Sequence, residues 1–271
     1  MNGHQNLHTH TTYCDGALSP EDMIKAAIQK GGNSLGFAEH AYVEFDLYYS
    51  MTPEMTSKYV SKVKALKEKY KNRIDVFLGL EVDYYTETVP EGLDYIIGTS
   101  HYLKKDGSVF PVDSGSRQQQ EFADKFFDGD FYSMAEAYFS MVSKIVDRTN
   151  ANIVGHFDLV AKYNADGSKF DEMHPRYVDA ALDSMGEILK KCRIFEVNTG
   201  AMYRLGKSEP YPSGFFLKEL LKRGGEVVLT SDSHDADSLF YKFDEVQELL
   251  KSIGFKYIKR LTNNGFIDIK L

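Results

Sequence analysis

Asn6-Leu7-His8-Thr9-His10, with Asp15 five residues on, is the stretch that decides how this chain is read. His8 and His10 stand two apart, so on an extended strand both rings point to one side. Paired imidazoles just past an apolar residue suit a divalent metal. Alone the motif is weak. It gains force because the chain has eight histidines and most of the others also close apolar runs.

Those runs give the fold. Segments Gln5 to His8, Ser34 to Glu39, Asp75 to Val82, Tyr95 to His101, Asn152 to His156, Ile194 to Asn198 and Glu226 to Ser231 read as strands. Helical patterns lie between them. Ser19-Pro20-Glu21-Asp22 offers an N-cap, a Pro at N1 and an acidic first turn, and Gly31-Gly32 stops that helix. Thr52-Pro53-Glu54 opens a second helix that runs to about Lys71. Phe131 to Thr149, Pro175 to Lys191, Pro212 to Arg223 and Asp237 to Ser252 continue the alternation. Strands alternating with helices imply parallel pairing with helical crossovers, and seven units favour a closed barrel over an open sheet. The tail, Tyr257 to Leu261 and Phe266 to Lys270 around Asn263-Asn264-Gly265, predicts a hairpin at the barrel bottom or on its side. Tyr102 to Gln120 predicts a long, lid-like loop after the fourth strand.

At 271 residues and 42% hydrophobic, the chain can bury a full core. Barrels of about 250 residues commonly form one domain, and no linker or repeat interrupts residues 1–271, so a single domain is expected. The net charge is −8 and no Lys/Arg run forms a stripe, which argues against nucleic acid as a partner. Cys14 and Cys192 fit no zinc or redox spacing and read as free thiols. No leader or membrane-length apolar run is present, so a soluble, cytoplasmic location with no membrane partner is expected. The sequence leaves the oligomeric state open.

In such a barrel the chemistry sits at the C-terminal ends of the strands. Those ends deliver His8, His10, Asp15, His40, Glu81, His101, His156, Asp232 and His234 toward one mouth. A lone strand-end histidine is more often structural, and a lone Asp more often caps the next helix. Nine together are another matter, because crowding three carboxylates with six imidazoles is costly without metal. Nine donors exceed one four-coordinate zinc and suit two or three divalent ions.

His8-Thr9-His10, Asp15, Glu39-His40, Gly79-Leu80-Glu81, Ser100-His101, Gly155-His156-Phe157-Asp158 and Ser231-Asp232-Ser233-His234, in this order over nearly the whole chain, resemble the motifs of the PHP (polymerase and histidinol phosphatase) superfamily, and the chain's length resembles its stand-alone histidinol-phosphate phosphatases. The resemblance implies an α/β fold, a distorted (β/α)7 TIM-like barrel, and a trinuclear centre of zinc, iron or manganese. It implies one metal on His8, His10, Glu81 and Asp232, a second on Glu81, His101 and His156, and a third on Asp15, His40 and His234. Two positions depart from the usual pattern: Asn6 replaces an Asp, and Glu39 precedes His40 where Asp is usual. Both are expected to lie behind the ligands.

The reaction so implied is hydrolysis of L-histidinol phosphate, in histidine biosynthesis, by a hydroxide bridging two metals. Glu81, Asp232 and His234 would act through that hydroxide. Three divalent ions against three carboxylates leave roughly +3 at the site, enough to draw a phosphate ester to an acidic protein. Arg117 in the expected lid, Arg204 after the sixth strand and Lys162 after the fifth are candidate phosphate contacts. Tyr42, Glu44 and Asp158 are candidates for the substrate's amine and imidazole, and Asn198 for orienting a ligand or binding substrate. Competing readings are a PHP-type phosphodiesterase or exonuclease acting on nucleotides, a C–N hydrolase on a related barrel, and a non-catalytic metal-binding protein. The first would want a basic or aromatic track, which is missing, and the second often uses a strand-end Lys, which no strand here supplies.

Overall fold

The computed structural model describes residues 3–271. Its strands are β1 (Gln5–Asn6), β2 (Ser34–Phe37), β3 (Asp75–Asp83), β4 (Tyr95–Thr99), β5 (Tyr102–Lys105), β6 (Ser108–Pro111), β7 (Ile153–Val154), β8 (Ile194–Asn198), β9 (Glu226–Thr230), β10 (Tyr257–Thr262) and β11 (Gly265–Lys270). Seven of them form one parallel sheet in the order β1-β2-β3-β4-β7-β8-β9. The sheet curls until its edges meet at the top. There Thr9 bridges Ser233 in parallel, and His10 N–H donates to the Ser233 carbonyl at 2.8 Å. The structure is therefore a nearly closed seven-stranded barrel.

Leu7, Ala38, Phe77, Tyr95, Ile97, Ile153 and Val228 fill the barrel interior. Tyr95 lies across it and its hydroxyl donates to the carbonyls of Phe37 and Leu7. This ring explains Gly79, where a Cβ would meet the Tyr95 Cζ at 2.3 Å. The β10–β11 hairpin plugs the bottom. Leu261 joins the interior cluster, and the Gln5 side chain exchanges hydrogen bonds with the Leu261 backbone at 2.8 and 3.0 Å.

Crossover helices wrap the outside. Helix α1 (Pro20–Gln29) has Ser19 accepting from Asp22 N–H, and α2 (Pro53–Tyr70) has Thr52 accepting from Met55 N–H. These are the caps read from the sequence. Three expectations need correction. The helix expected from Asp237 starts only at Phe243, after a run of turns over residues 237–242. The helix expected over Phe131 to Thr149 is two, α4 (Phe131–Val142) and α5 (Ile145–Thr149), broken at Ser143-Lys144. The segment after the fourth strand is no open loop. It folds as the antiparallel β5–β6 hairpin followed by α3 (Ser116–Phe127), pinned by stacking of Phe110 on Phe122 at 4.2 Å. The chain closes its outer layer with α6 (Pro175–Leu189), the short α7 (Gly200–Arg204), α8 (Gly214–Lys222) and α9 (Phe243–Ile253). Among the described residues no helix is long and apolar enough to cross a membrane.

Candidate metal centre

Strand periodicity positions the site. On β3, Phe77 and Gly79 face the interior, so Glu81, two residues on, points into the barrel mouth. The same step carries β4 from Ile97 through Thr99 to His101, and β9 from Val228 through Thr230 to Asp232. Asp232 itself has φ 45°, an uncommon value for a residue other than glycine, and such outliers concentrate at functional sites.

All nine residues expected as ligands converge here. Glu81 is the hub and is 1% exposed. Its Oε2 lies 3.4 Å from His8 Nε2, 3.5 Å from His10 Nε2 and 2.8 Å from His40 Nδ1. Its Oε1 lies 3.3 Å from His101 Nε2 and 2.9 Å from His156 Nε2. The two oxygens thus face different imidazole sets, which is the geometry of a bridging carboxylate. Asp232 Oδ1 closes the first set at 3.3 Å from His10 Nε2 and 3.8 Å from His8 Nε2. Asp15 gathers the third, with Oδ1 3.7 Å from His40 Nε2 and Oδ2 3.1 Å from His234 Nε2.

The donors fit divalent ions on their own evidence. His8 Nε2, His10 Nε2 and Glu81 Oε2 are buried and have no hydrogen-bond partner, although they crowd together. Orphaned buried polar atoms cost about 1–3 kcal/mol each, and a cation among them removes that cost. Donor atoms of His8, His10 and Asp232, of His40, Glu81 and His101, and of His10, Asp15, His40 and His234 form compact sets. Burial, with His234 and His40 alongside, pushes the His10 imidazole down to about 3. Burial works the same way on His8, His40 and His101, but Glu196 beside His8 and Glu81 beside His40 and His101 raise those rings. Protons there balance the carboxylates, and a cation would have to displace them. Burial disfavours charge on Glu81, yet the surrounding His40, His8 and His101 hold its carboxyl well below the usual range.

The sequence reading missed two residues behind the ligands, Glu196 and Asp83. Glu196, fully buried, accepts from His156 N–H at 2.6 Å, Asn198 Nδ2 at 2.9 Å and Thr230 Oγ1 at 2.8 Å, and faces His8 Nδ1 at 2.8 Å. Holding Nδ1–H of His8 turns its Nε2 lone pair toward the centre. Asp83 does the same for His101, accepting its N–H at 2.8 Å and facing its Nδ1 at 3.4 Å. A charged residue inside a buried strand, as in Ile194-Phe195-Glu196-Val197-Asn198, was the available signal. Glu39 lies behind the ring as expected. It accepts from Thr11 N–H and Oγ1 at 3.1 and 2.5 Å and from Cys14 Sγ at 2.6 Å. Burial, then Glu39, pushes the Cys14 thiol well up, so it is a protonated donor.

The ring opens on a cavity of about 260 Å³. Arg204 and Lys162 line it as expected. Arg204 donates to Asp232 Oδ2 at 2.7 Å, and Lys162 to Asp113 Oδ2 at 3.0 Å. Arg117 does not reach the cavity. It starts α3 on the outside, 86% exposed, and donates to Glu121. Tyr42 and Glu44 also fall outside, because their neighbours Ala41 and Val43 take the inward positions. Asp158 is buried behind the wall, where its Oδ2 accepts from Ser213 N–H, and burial pushes its carboxyl up to about 6. Asn198 turns to Glu196 and to Gly200 N–H rather than to the cavity, which leaves it an orienting role.

Comparison with known proteins agrees with this geometry. Residues 6–200 match the PHP domain. The chain is similar to a probable histidinol-phosphatase of Deinococcus radiodurans, 26% identical over 94% of this chain and 95% of that one. It is also similar to the histidinol-phosphatase of Bacillus subtilis, 25% identical over 89% of this chain and 97% of that one. Its fold matches that of a Lactococcus lactis histidinol phosphate phosphatase solved with zinc, L-histidinol and phosphate, with a TM-score of 0.72, 18% identity and coverage of 97% and 98%.

Proposed function

This chain belongs to the PHP domain family, and we propose that it is a metal-dependent phosphomonoesterase that hydrolyses L-histidinol phosphate to L-histidinol and phosphate. We propose further that residues 1–271 act as one domain, that two to three zinc, iron or manganese ions occupy the ring, and that the enzyme works in the cytoplasm. Residues 1–2 lie outside those described. The observation that carries the reading is Glu81, which shares its two oxygens between two imidazole sets at the floor of a small cavity flanked by Arg204 and Lys162. The similarity to histidinol-phosphatases along nearly the whole chain supports the substrate.

The ring residues His8, His10, Asp15, His40, Glu81, His101, His156, Asp232 and His234 would hold the ions. Bound divalent metals supply a water that ionises near neutral pH and positive charge against phosphoryl oxygens. The chain's own residues do the rest. Glu196 and Asp83 fix the ring nitrogens that His8 and His101 present. Arg204 offers a planar guanidinium, and Lys162 an ammonium, to the phosphoryl group. Cys14, whose thiol donates to Glu39, would not serve as the nucleophile, which is in keeping with water as the attacking group in this proposal.

A nuclease needs a track for neighbouring nucleotides, and a cavity of about 260 Å³ walled by Asp46, Asp83 and Asp113 does not offer one. The deciding experiment compares phosphate release from L-histidinol phosphate with cleavage of a short oligonucleotide by metal-loaded protein. Turnover of the ester is expected. No phosphate release from it overturns the proposal, and nuclease turnover alone would favour the rival.

A further inference from the structure

Six carboxylates line the cavity: Asp15, Asp46, Glu81, Asp83, Asp113 and Asp232. Asp15, Glu81 and Asp232 face histidines of the ring. Asp83 faces His101, and Asp113 is paired with Lys162. Of these six, Asp46 alone has no Lys, Arg or His nitrogen of the described residues within ion-pair reach. Asp46 is half-buried, so its charge is not crowded out of the wall but stays open to a cation that a ligand brings into the cavity.

Asp46 is also held in place. Its Oδ1 accepts from the N–H groups of Tyr48 and Tyr49 at 3.2 and 3.3 Å, and its Oδ2 from the Tyr102 hydroxyl at 2.7 Å. The loop that carries it is fastened to the β5–β6 hairpin. Phe45 meets Tyr102 and Tyr85 edge-on at 5.0 and 5.9 Å, and Lys104 lies over Phe45 and Tyr85 at 4.5 and 4.3 Å. An ionised carboxylate has about four acceptor positions, so three donors fix its plane and leave it one to offer. A group so fixed binds without a large ordering cost. The cavity then has two poles. One is the metal ring with Arg204 and Lys162, suited to a phosphoryl group. The other is Asp46, with Tyr49 and Tyr102 beside it, suited to a cation.

We infer that Asp46 binds the ammonium of the substrate and makes the site selective for cationic phosphate monoesters. The inference rests on the phosphatase reading above and deepens it, since L-histidinol phosphate carries an amine. It replaces Tyr42, Glu44 and Asp158 as the reader of that group.

Asp46→Asn tests it. The amide keeps the shape, can still accept from both N–H groups, and can turn its NH2 to the Tyr102 hydroxyl oxygen. Metal-loaded wild type and variant are compared on L-histidinol phosphate, 3-aminopropyl phosphate and butyl phosphate. The ratio of kcat/KM for either ammonium-bearing ester to that for butyl phosphate is expected to fall roughly 10- to 100-fold in the variant, the span for a lost hydrogen bond to a charged group. The inhibition constant of inorganic phosphate reports whether the phosphoryl pole is intact, and Asp46→Ser serves if the Asn variant fails to fold. An unchanged ratio, with both esters losing equally or neither losing, overturns the assignment. If the wild type takes butyl phosphate but rejects the histidinol ester, the substrate reading fails instead, and the aminopropyl-to-butyl ratio still decides Asp46.

Discussion

Glu196→Gln is the substitution that asks most of the site as described. Gln has the same shape as Glu but one acceptor oxygen and one NH2. In wild type, Oε2 faces His8 Nδ1 and accepts from Thr230, while Oε1 accepts from His156 N–H and Asn198 Nδ2. If the amide NH2 takes the Oε2 position, it donates to His8 Nδ1. The proton of His8 then moves to Nε2, and the lone pair meant for the metal is gone. If the NH2 takes the Oε1 position, it meets two donors and strands both, at about 1–3 kcal/mol for each buried group left unpaired. Neither orientation is neutral. Partners of this kind are worth about 10- to 100-fold in metal affinity, or roughly 1.4–2.8 kcal/mol. Competition with a chromogenic chelator, on protein whose circular dichroism matches wild type, measures the effect. The second orientation would keep the His8 tautomer and appear instead as lost stability in urea unfolding, so affinity within about twofold of wild type together with unchanged stability would refute the role given to Glu196.

Other expected outcomes follow from the same geometry. Arg204→Ala should raise KM for the ester about 10- to 100-fold while metal content by elemental analysis stays near wild type, because Asp232 still faces His8 and His10; unchanged kinetics would remove Arg204 from the site. Leu261→Ala should cost about 2–5 kcal/mol in urea unfolding, since Leu261 is the hairpin's plug in the barrel interior; a loss below about 1 kcal/mol would mean that the bottom is sealed some other way. Asp130→Ala should cost about 1 kcal/mol, because Asp130 caps α4 through Tyr132 and Ser133 N–H. Burial works against the ionised Asp130, but Arg176 and Ser133 hold its carboxyl down at about 2. A depressed carboxylate stabilises above its unfolded value of 3.8 and loses that as pH falls through its folded value. The gap between wild type and variant should therefore be full at neutral pH and shrink from about pH 4 toward 2; a gap that does not depend on pH would count against the charge as its source.

How much of this was legible depended on whether a residue's role was written in local pattern. The strands were, because buried parallel strands are short apolar runs. Their polar ends were, because His, Asp and Glu there interrupt such runs. Helices α1 and α2 were legible through Ser19-Pro20 and Thr52-Pro53, caps whose chemistry is local. The region after β4 was not. Its hairpin and α3 are held by Phe110 on Phe122, a contact between residues that no period connects. Nor could local pattern tell Asp46 from Glu44, or Arg204 from Arg117. Each pair shares a charge and a neighbourhood in sequence or in proposed role, and only the path of the loop decides which side chain meets the cavity. Glu196 sits between these cases. Its burial follows from strand periodicity, but its partner His8 is 188 residues away.

Asn6 shows why a departure from a family pattern need not weaken a site. Its Oδ1 accepts from His8 N–H at 3.2 Å and Ser231 N–H at 3.0 Å. Its Nδ2 donates to the His8 carbonyl at 3.1 Å, Thr9 Oγ1 at 3.0 Å and Ser233 Oγ at 3.3 Å. These bonds join the end of β1 to the segment after β9, across the seam where the barrel closes. That seam brings His8 and His10 beside Asp232. An Asp at position 6 could accept the two N–H bonds but would set a carboxylate oxygen against the His8 carbonyl. Here an amide answers both sides of the seam, so Asn6 is a fastener suited to these neighbours, and the ligands it brings together are untouched by the change.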